Sequence, residues 1–269
     1  MKFLESILYG IVSGLCEILP VSSRAHQGIL LKLFGVSEAN PLLNLMIHIA
    51  VVAAIIFSCR DLVIRLRFTQ QPSRKRSRRY AGRNAENRFI KNAAITLIVG
   101  LVLLTYIVNT KLTLPRITIF SFINGLLLFL TGRMMQGNKD ASHMSAIDSV
   151  AVGVLGSFSV IPGISRIGVM TSFTSMRGAD REKVLDWALL LSIPAVAVLA
   201  LFDFFGLFTG FQAISFGLFI GYVLAMGAAF AACYFAIIIM RFLSVRTGFS
   251  GFAYYSWGVA LFAFVLYLI

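Results

Sequence analysis

The sequence predicts an all-α integral membrane protein: six transmembrane helices plus two re-entrant helix hairpins in an inverted-topology repeat. Three observations carry that prediction. Of 269 residues, 58% are apolar and only 13% charged, whereas a soluble domain covers its surface with about 25% charged residues. Six apolar stretches reach the length needed to cross a bilayer, about 20 residues. Two further apolar stretches are broken at their centres by similar polar turns. This composition excludes a cytosolic enzyme, a secreted domain and a disordered chain. Cys16, Cys59 and Cys233 lie in apolar surroundings at unrelated spacings. They read as small buried hydrophobes, with neither a disulfide framework nor a zinc pattern.

The elements follow in order. Residues 6–34 are interrupted by ILPVSSRAHQ, leaving flanks of about 12 residues, each too short to cross alone. Irregular backbone at membrane depth persists only inside protein or beside a wet cavity, so this segment is expected to enter and leave on one side. Residues 42–59 form the first span. Residues 60–91 hold eleven Lys/Arg against Asp61 and Glu86. Flanked by apolar spans, that run reads as a cytoplasmic loop near anionic headgroups and not as a nucleic-acid contact. Spans at 90–109 and 116–133 complete the first half. Residues 149–175, interrupted by VIPGISRIG, form the second hairpin, followed by spans at 184–208, 213–240 and 251–269. The N-terminal MKFLESILYG lacks a small-residue cleavage site and is expected to stay in the fold.

Pro20-Val21-Ser22-Ser23-Arg24 and Pro162-Gly163-Ile164-Ser165-Arg166 share the pattern P-x-x-S-R, and three spans follow each. The chain thus divides into repeats 1–140 and 141–269 within one membrane domain. An odd number of spans per repeat forces opposite orientations, with a site at the pseudo-two-fold axis near the midplane. A cytoplasmic 60–91 loop places both termini outside. It also puts Lys139, Arg177, Arg181, Lys183, Arg241 and Arg246 on the cytoplasmic side, as the positive-inside rule asks.

Polar side chains inside a membrane are costly and mark function. The first hairpin holds Glu17, Ser22, Ser23, Arg24 and His26. The second holds Gly163, Ser165, Arg166 and Thr171. Meeting tips would join a carboxylate, an imidazole, two guanidiniums and three serines beside helix N-termini that attract anions. Those are the parts for handling a phosphate ester. Glu17, Ser23, His26 and Arg166 are the candidate catalytic groups, and Ser22, Arg24, Gly163, Ser165 and Thr171 the candidate substrate-binding groups. Each also has a plainer reading: Glu17 neutralises an arginine, one serine caps a helix, His26 is a satisfied buried histidine. His48, inside a span, reads first as a helix–helix hydrogen bonder.

GLCEILPVSSRAH and IPGISRIG resemble the two signature motifs of the bacterial undecaprenyl-diphosphate phosphatase (bacitracin-resistance) family, E-G-x-T-E-F-L-P-V-S-S-T-G-H and P-G-x-S-R-S-G-x-T. IHIAVVAAIIFSCRDL, LLLSIPAV and GFAYYSW resemble further family segments in the same order, so the resemblance covers essentially the whole chain. It implies hydrolysis of undecaprenyl diphosphate to the monophosphate, a periplasmic-facing site, homodimers and dependence on a divalent cation, Mg or Ca, with Glu17 as acid/base or metal ligand. The nucleophile stays open between Ser23 and His26. The chain departs from the motifs at Ser13, where the family has glutamate, and at Arg24-Ala25, Ile167, Met170 and Gly156. A rival reading follows from these departures and from the inverted repeat: a polyprenyl-phosphate transporter or flippase, binding the lipid without efficient hydrolysis.

Overall fold

The structure, a computed structural model, describes residues 1–67, 77–108, 111–134, 137–210, 213–246 and 248–269, and side chains outside 65–83, 181, 210 and 245. Of the basic run predicted as a cytoplasmic loop, residues 68–76 lie outside the described residues, while 60–67 and 77–91 are helical. The helices are α1 (Phe3–Ile18), α2 (Ser23–Leu33), α3 (Pro41–Ser58), α4 (Arg60–Arg67), α5 (Ser77–Ile107), α6 (Leu114–Gly132), α7 (Ala146–Ser157), α8 (Arg166–Met176), α9 (Arg181–Gly210), α10 (Phe216–Arg246) and α11 (Gly251–Leu268). Among the described residues, the only strand-like pairings are two isolated bridges, Gly137 with Asp180 and Lys139 with Ala179.

Six of these helices, α3, α5, α6, α9, α10 and α11, are long and apolar enough to cross a membrane. Their outward faces carry large apolar side chains such as Phe205, Phe235, Tyr254 and Leu261. In water such a surface would associate; in lipid it is solvated. The short helices pair as two hairpins, α1–α2 and α7–α8. Local chemistry sets their breaks. Leu19 is extended (φ −65°, ψ 149°) because Pro20 crowds helical backbone at the residue before it. Ser22 and Ser165 then restart α2 and α8 as N-caps. Asn40 caps α3 ahead of Pro41, whose missing N–H is harmless in a first turn.

Two boundaries differ from the apolar pattern. Helix α5 begins at Ser77, not at residue 90, and α10 runs on to Arg246. Hydropathy marks only the part of a helix inside lipid, while backbone hydrogen bonding continues past it. The polar start of α5 is tied back to the bundle by Trp187 Nε1–H, which donates to Glu86 Oε1 at 2.9 Å. The Phe89 and Trp187 rings pack beside this bond, 4.7 Å apart. Helix α4, inside the expected loop, is a further element that the apolar pattern misses.

The hairpins pack crosswise. The first lies on α10 and the second on α5, while α3 pairs with α9 and α6 with α11. Each pairing therefore has its counterpart when the two halves of the chain are exchanged. The α1–α10 approach needs glycine: a Cβ at Gly10 would sit 2.4 Å from the Ala225 carbonyl oxygen, and one at Gly14 2.3 Å from that of Ala229. Small residues let membrane helices close to backbone contact, where van der Waals packing replaces the hydrophobic effect.

Candidate active site at the two hairpin tips

The two tips meet, and backbone groups join them. Ser22 Oγ accepts from its own helix at Ala25 N–H (3.3 Å) and across the repeat from Gly163 N–H (3.0 Å). Ser165 Oγ accepts from Gly168 N–H (3.1 Å) and donates to the Leu19 carbonyl (3.4 Å). Each motif serine thus caps one helix and holds the other hairpin. Gly163 has φ +111°, and a Cβ there would fall 2.6 Å from both Phe120 Cβ and Ser121 N. That backbone conformation suits glycine alone, so the second tip lies flat against α6.

Asn124 of α6 is the hub. Its Oδ1 accepts from Ser165 N–H at 3.0 Å, and its Nδ2 donates to the Pro20 carbonyl and to Ser256 Oγ, both at 3.1 Å. One buried amide thereby satisfies both tips and α11. The sequence reading passed over Asn124. The signal was available: an amide alone in an apolar span is costly and needs partners.

On this frame the charged groups converge. Arg166 Nη2 donates to Glu17 Oε2 at 2.6 Å, and its Nε donates to Ser192 Oγ at 3.2 Å. Both members of the ion pair are buried, with side chains 5% and 6% exposed. Ser192, also passed over in the sequence, is fixed in turn by donating to the Ala188 carbonyl at 2.8 Å. Glu17, Ser22, Ser23, Arg24, Ser165 and Arg166 line one cavity of about 20 Å³, room for a water molecule and little more. Ser23 Oγ is buried in the same lining as the Glu17 carboxylate and makes no hydrogen bond. The first turns of α2 and α8 both open on this cavity, so two helix N-termini add partial positive charge to Arg24 and Arg166. The arrangement gathers cationic groups suited to an oxyanion, a hydroxyl, and a carboxylate able to take its proton, around a cavity that as it stands is water-sized.

Three candidates lie apart from the cavity lining: Gly163, which holds the tip through Ser22, and His26 and Thr171. His26 sits one turn beyond Ser23. Its Nδ1 donates to the Ser22 carbonyl at 2.7 Å, and its Nε2 meets the Tyr255 hydroxyl at 2.9 Å. A carbonyl only accepts, so this ring is the Nδ1–H tautomer and Nε2 accepts from Tyr255. Thr171 is buried within α8, its hydroxyl bonded back to Ile167 and Gly168. Ser13, at the position of the motif glutamate, accepts from Gln27 Nε2 at 3.1 Å.

A resident divalent cation does not fit these residues. Glu17 is the one carboxylate among the lining residues, and it is committed to a guanidinium. No three His, Cys, Asp or Glu groups converge among the described residues, whereas a protein-built site for a hard cation needs several oxygen ligands.

Fold and site together define a polytopic membrane protein with a buried, cationic centre where two broken elements meet. The family model described as bacitracin resistance protein BacA matches residues 6–262, and the chain belongs to that family. Similar curated proteins include the undecaprenyl-diphosphatase of Carboxydothermus hydrogenoformans, 28% identical over 260 residues and covering 96% of this chain and 94% of that protein. The undecaprenyl-diphosphatase of Treponema denticola is 31% identical over 201 residues, 73% of each chain. Undecaprenyl-diphosphatase 1 of Shouchella clausii is 29% identical over 275 residues, 98% and 96% of the two chains.

Proposed function

We propose that the chain hydrolyses undecaprenyl diphosphate to undecaprenyl phosphate and inorganic phosphate, returning a lipid carrier to cell-wall synthesis. The observation that carries this reading is the buried cluster of Glu17, Ser23 and Arg166 at the joined hairpin tips. The names of the similar proteins agree with it. Arg166 and Arg24 hold the diphosphate, aided by the N-terminal dipoles of α2 and α8. Ser23 Oγ attacks the terminal phosphorus, and Glu17 takes its proton. Undecaprenyl phosphate leaves, and water then cleaves the phosphoserine to release phosphate. Ser23 is preferred to His26 as nucleophile because it lines the cavity beside Glu17, while both ring nitrogens of His26 are engaged elsewhere. This reading draws on the protein's own cationic groups, because Glu17, the one carboxylate of the lining, is paired with Arg166.

The prenyl chain has a place beside the site. An apolar groove of about 470 Å³ runs between α6 and α11, lined by Ile119, Phe122, Ile123, Trp257, Leu261 and Phe264. The same two helices, α6 and α11, carry Asn124 and Ser256, which bond each other at 3.1 Å. The exchange-symmetric packing of the helices supports two inverted repeats, 1–140 and 141–269, with re-entrant hairpins. The basic residues around Lys139 and Arg246 support a cytoplasmic location for that end of the bundle and an external location for both termini.

The test is phosphate release from undecaprenyl diphosphate by purified protein in detergent, with and without Mg²⁺ or Ca²⁺. Turnover lost on Ser23→Ala supports the reading. Lipid binding without turnover by the unmodified protein would replace hydrolysis with carriage.

A further inference from the structure

Ser23 is placed by its backbone. Its hydroxyl lies buried in the cavity lining and makes no hydrogen bond, so no partner of the side chain fixes where Oγ points. The peptide unit that joins Ser22 to Ser23 is planar. Whatever holds the Ser22 carbonyl therefore sets the direction in which α2 starts, with Ser23 as its first residue.

His26 holds that carbonyl twice. The His26 backbone N–H donates to it at 3.3 Å, as a helical turn requires, and His26 Nδ1–H donates to it at 2.7 Å. The second bond lasts while the imidazole keeps its orientation, and two side-chain torsions leave such a ring free to turn. Here its far side is tied down. Nε2 accepts from the Tyr255 hydroxyl of α11 at 2.9 Å, and the two rings stack with centroids 5.7 Å apart and planes within 8°. Tyr255 is half exposed, so a packing role there would be met by phenylalanine, whereas the hydroxyl reaches Nε2. The next residue completes the arrangement. Ser256 accepts from Asn124, which donates to the Pro20 carbonyl. Two neighbouring positions on α11 thus hold the carbonyls of Pro20 and Ser22, one through Asn124 and one through His26. The turn that carries Ser23 is braced on both sides from the other half of the chain.

We propose that Tyr255 is a positioning residue: through His26 it holds the Ser22 carbonyl and so aims the Ser23 hydroxyl into the cavity. His26 is the bracket between them and not a reacting group. The proposal rests on the phosphatase reading, with Ser23 as nucleophile.

The test is steady-state phosphate release from undecaprenyl diphosphate by purified protein in detergent. It compares the unmodified protein, Tyr255→Phe, His26→Asn, the double variant and His26→Ala. Tyr255→Phe keeps the ring and should lower kcat by about tenfold, with KM within about twofold and an unchanged melting temperature, because a small misplacement of the reacting group costs rate. His26→Asn keeps an N–H near the position of Nδ1 and has nothing at Nε2. It should match Tyr255→Phe, and adding Tyr255→Phe to it should cost little more. His26→Ala removes both bonds and should be slower by a further factor of about ten or more. No loss in Tyr255→Phe, or an equal further loss in the His26→Asn background, would overturn the proposal. So would a His26→Asn protein no more active than His26→Ala, because an amide can replace a bracket but not a nucleophile or a proton carrier. A melting temperature that falls together with kcat in Tyr255→Phe would assign the hydroxyl to fold stability instead. If a His26 variant does not fold, the split between kcat and KM in Tyr255→Phe decides alone. Absence of phosphate release by the unmodified protein would overturn the phosphatase reading, and this proposal with it.

Discussion

Arg166 makes two directed bonds, one to Glu17 and one to Ser192, so its guanidinium is held at the cavity wall before any ligand arrives. Arg166→Ala should abolish lipid-diphosphate binding, a loss of about 2–5 kcal/mol for a desolvated charged hydrogen bond. Arg166→Lys should not restore it, because an ammonium is a point charge without the planar fork. A titration of the lipid into each purified variant checks both. Glu17→Gln keeps the shape and removes the base, so turnover should fall by about a hundredfold or more while binding is kept or strengthened. Ser13 and Glu17 stand four residues apart on the same face of α1. Ser13→Glu should therefore bring a second carboxylate to the site and make turnover more dependent on Mg²⁺. Unchanged turnover in Glu17→Gln, together with no effect of Ser13→Glu, would reduce Glu17 to a charge partner of Arg166.

At the scale of elements, the hairpins are held at tip and base by different means. At the tip, Asn124→Leu would orphan the Ser165 N–H and the Pro20 carbonyl. Each buried group left unpaired costs about 1–3 kcal/mol, so a clear drop in melting temperature in detergent is expected, together with lost activity. At the base, Arg177 Nε donates to Asp148 Oδ1 at 2.6 Å, joining the end of α8 to the start of α7. The other carboxylate oxygen of Asp148 accepts from Ser145 N–H and Oγ–H, both at 2.9 Å, completing the α7 cap. Asp148→Asn weakens the pair and the capping box together and should cost about 2 kcal/mol. A melting curve indistinguishable from that of the unmodified protein would show that packing alone holds the second hairpin.

For the whole molecule, orientation and lipid access follow from surfaces, not from single contacts. Lys139→Cys should be labelled by an impermeant thiol reagent from the cytoplasmic side and Lys111→Cys from outside, because basic loops are retained inside. The reverse pattern would invert the assignment. The native cysteines, all buried and free, should stay silent in this assay. If the α6–α11 groove seats the prenyl chain, Ala260→Trp, which fills it, should raise KM for undecaprenyl diphosphate. The same change should leave a short-chain prenyl diphosphate nearly unaffected. An equal effect on both lipids would assign the groove to bulk membrane lipid.

Class, span number and the two broken hairpins were legible in the sequence because each depends on local quantities. Apolar length decides whether a helix can cross, and Pro20 and Gly163 decide where backbone must break. The shared P-x-x-S-R pattern pointed correctly to both tips, and the order of motifs pointed to the family. The partner of each buried polar group was not legible. Arg166 could have paired with Glu17 or faced an anion, and Ser22 could have capped or reacted. Asn124, Ser192 and the His48–Asp203 contact draw together residues 26 to 155 positions apart. Hydropathy and periodicity carry no information at that range. Inside a membrane a polar group must be satisfied, which the sequence alone announces. Which group satisfies it is settled by crosswise packing of the two halves, which exists only in the folded chain.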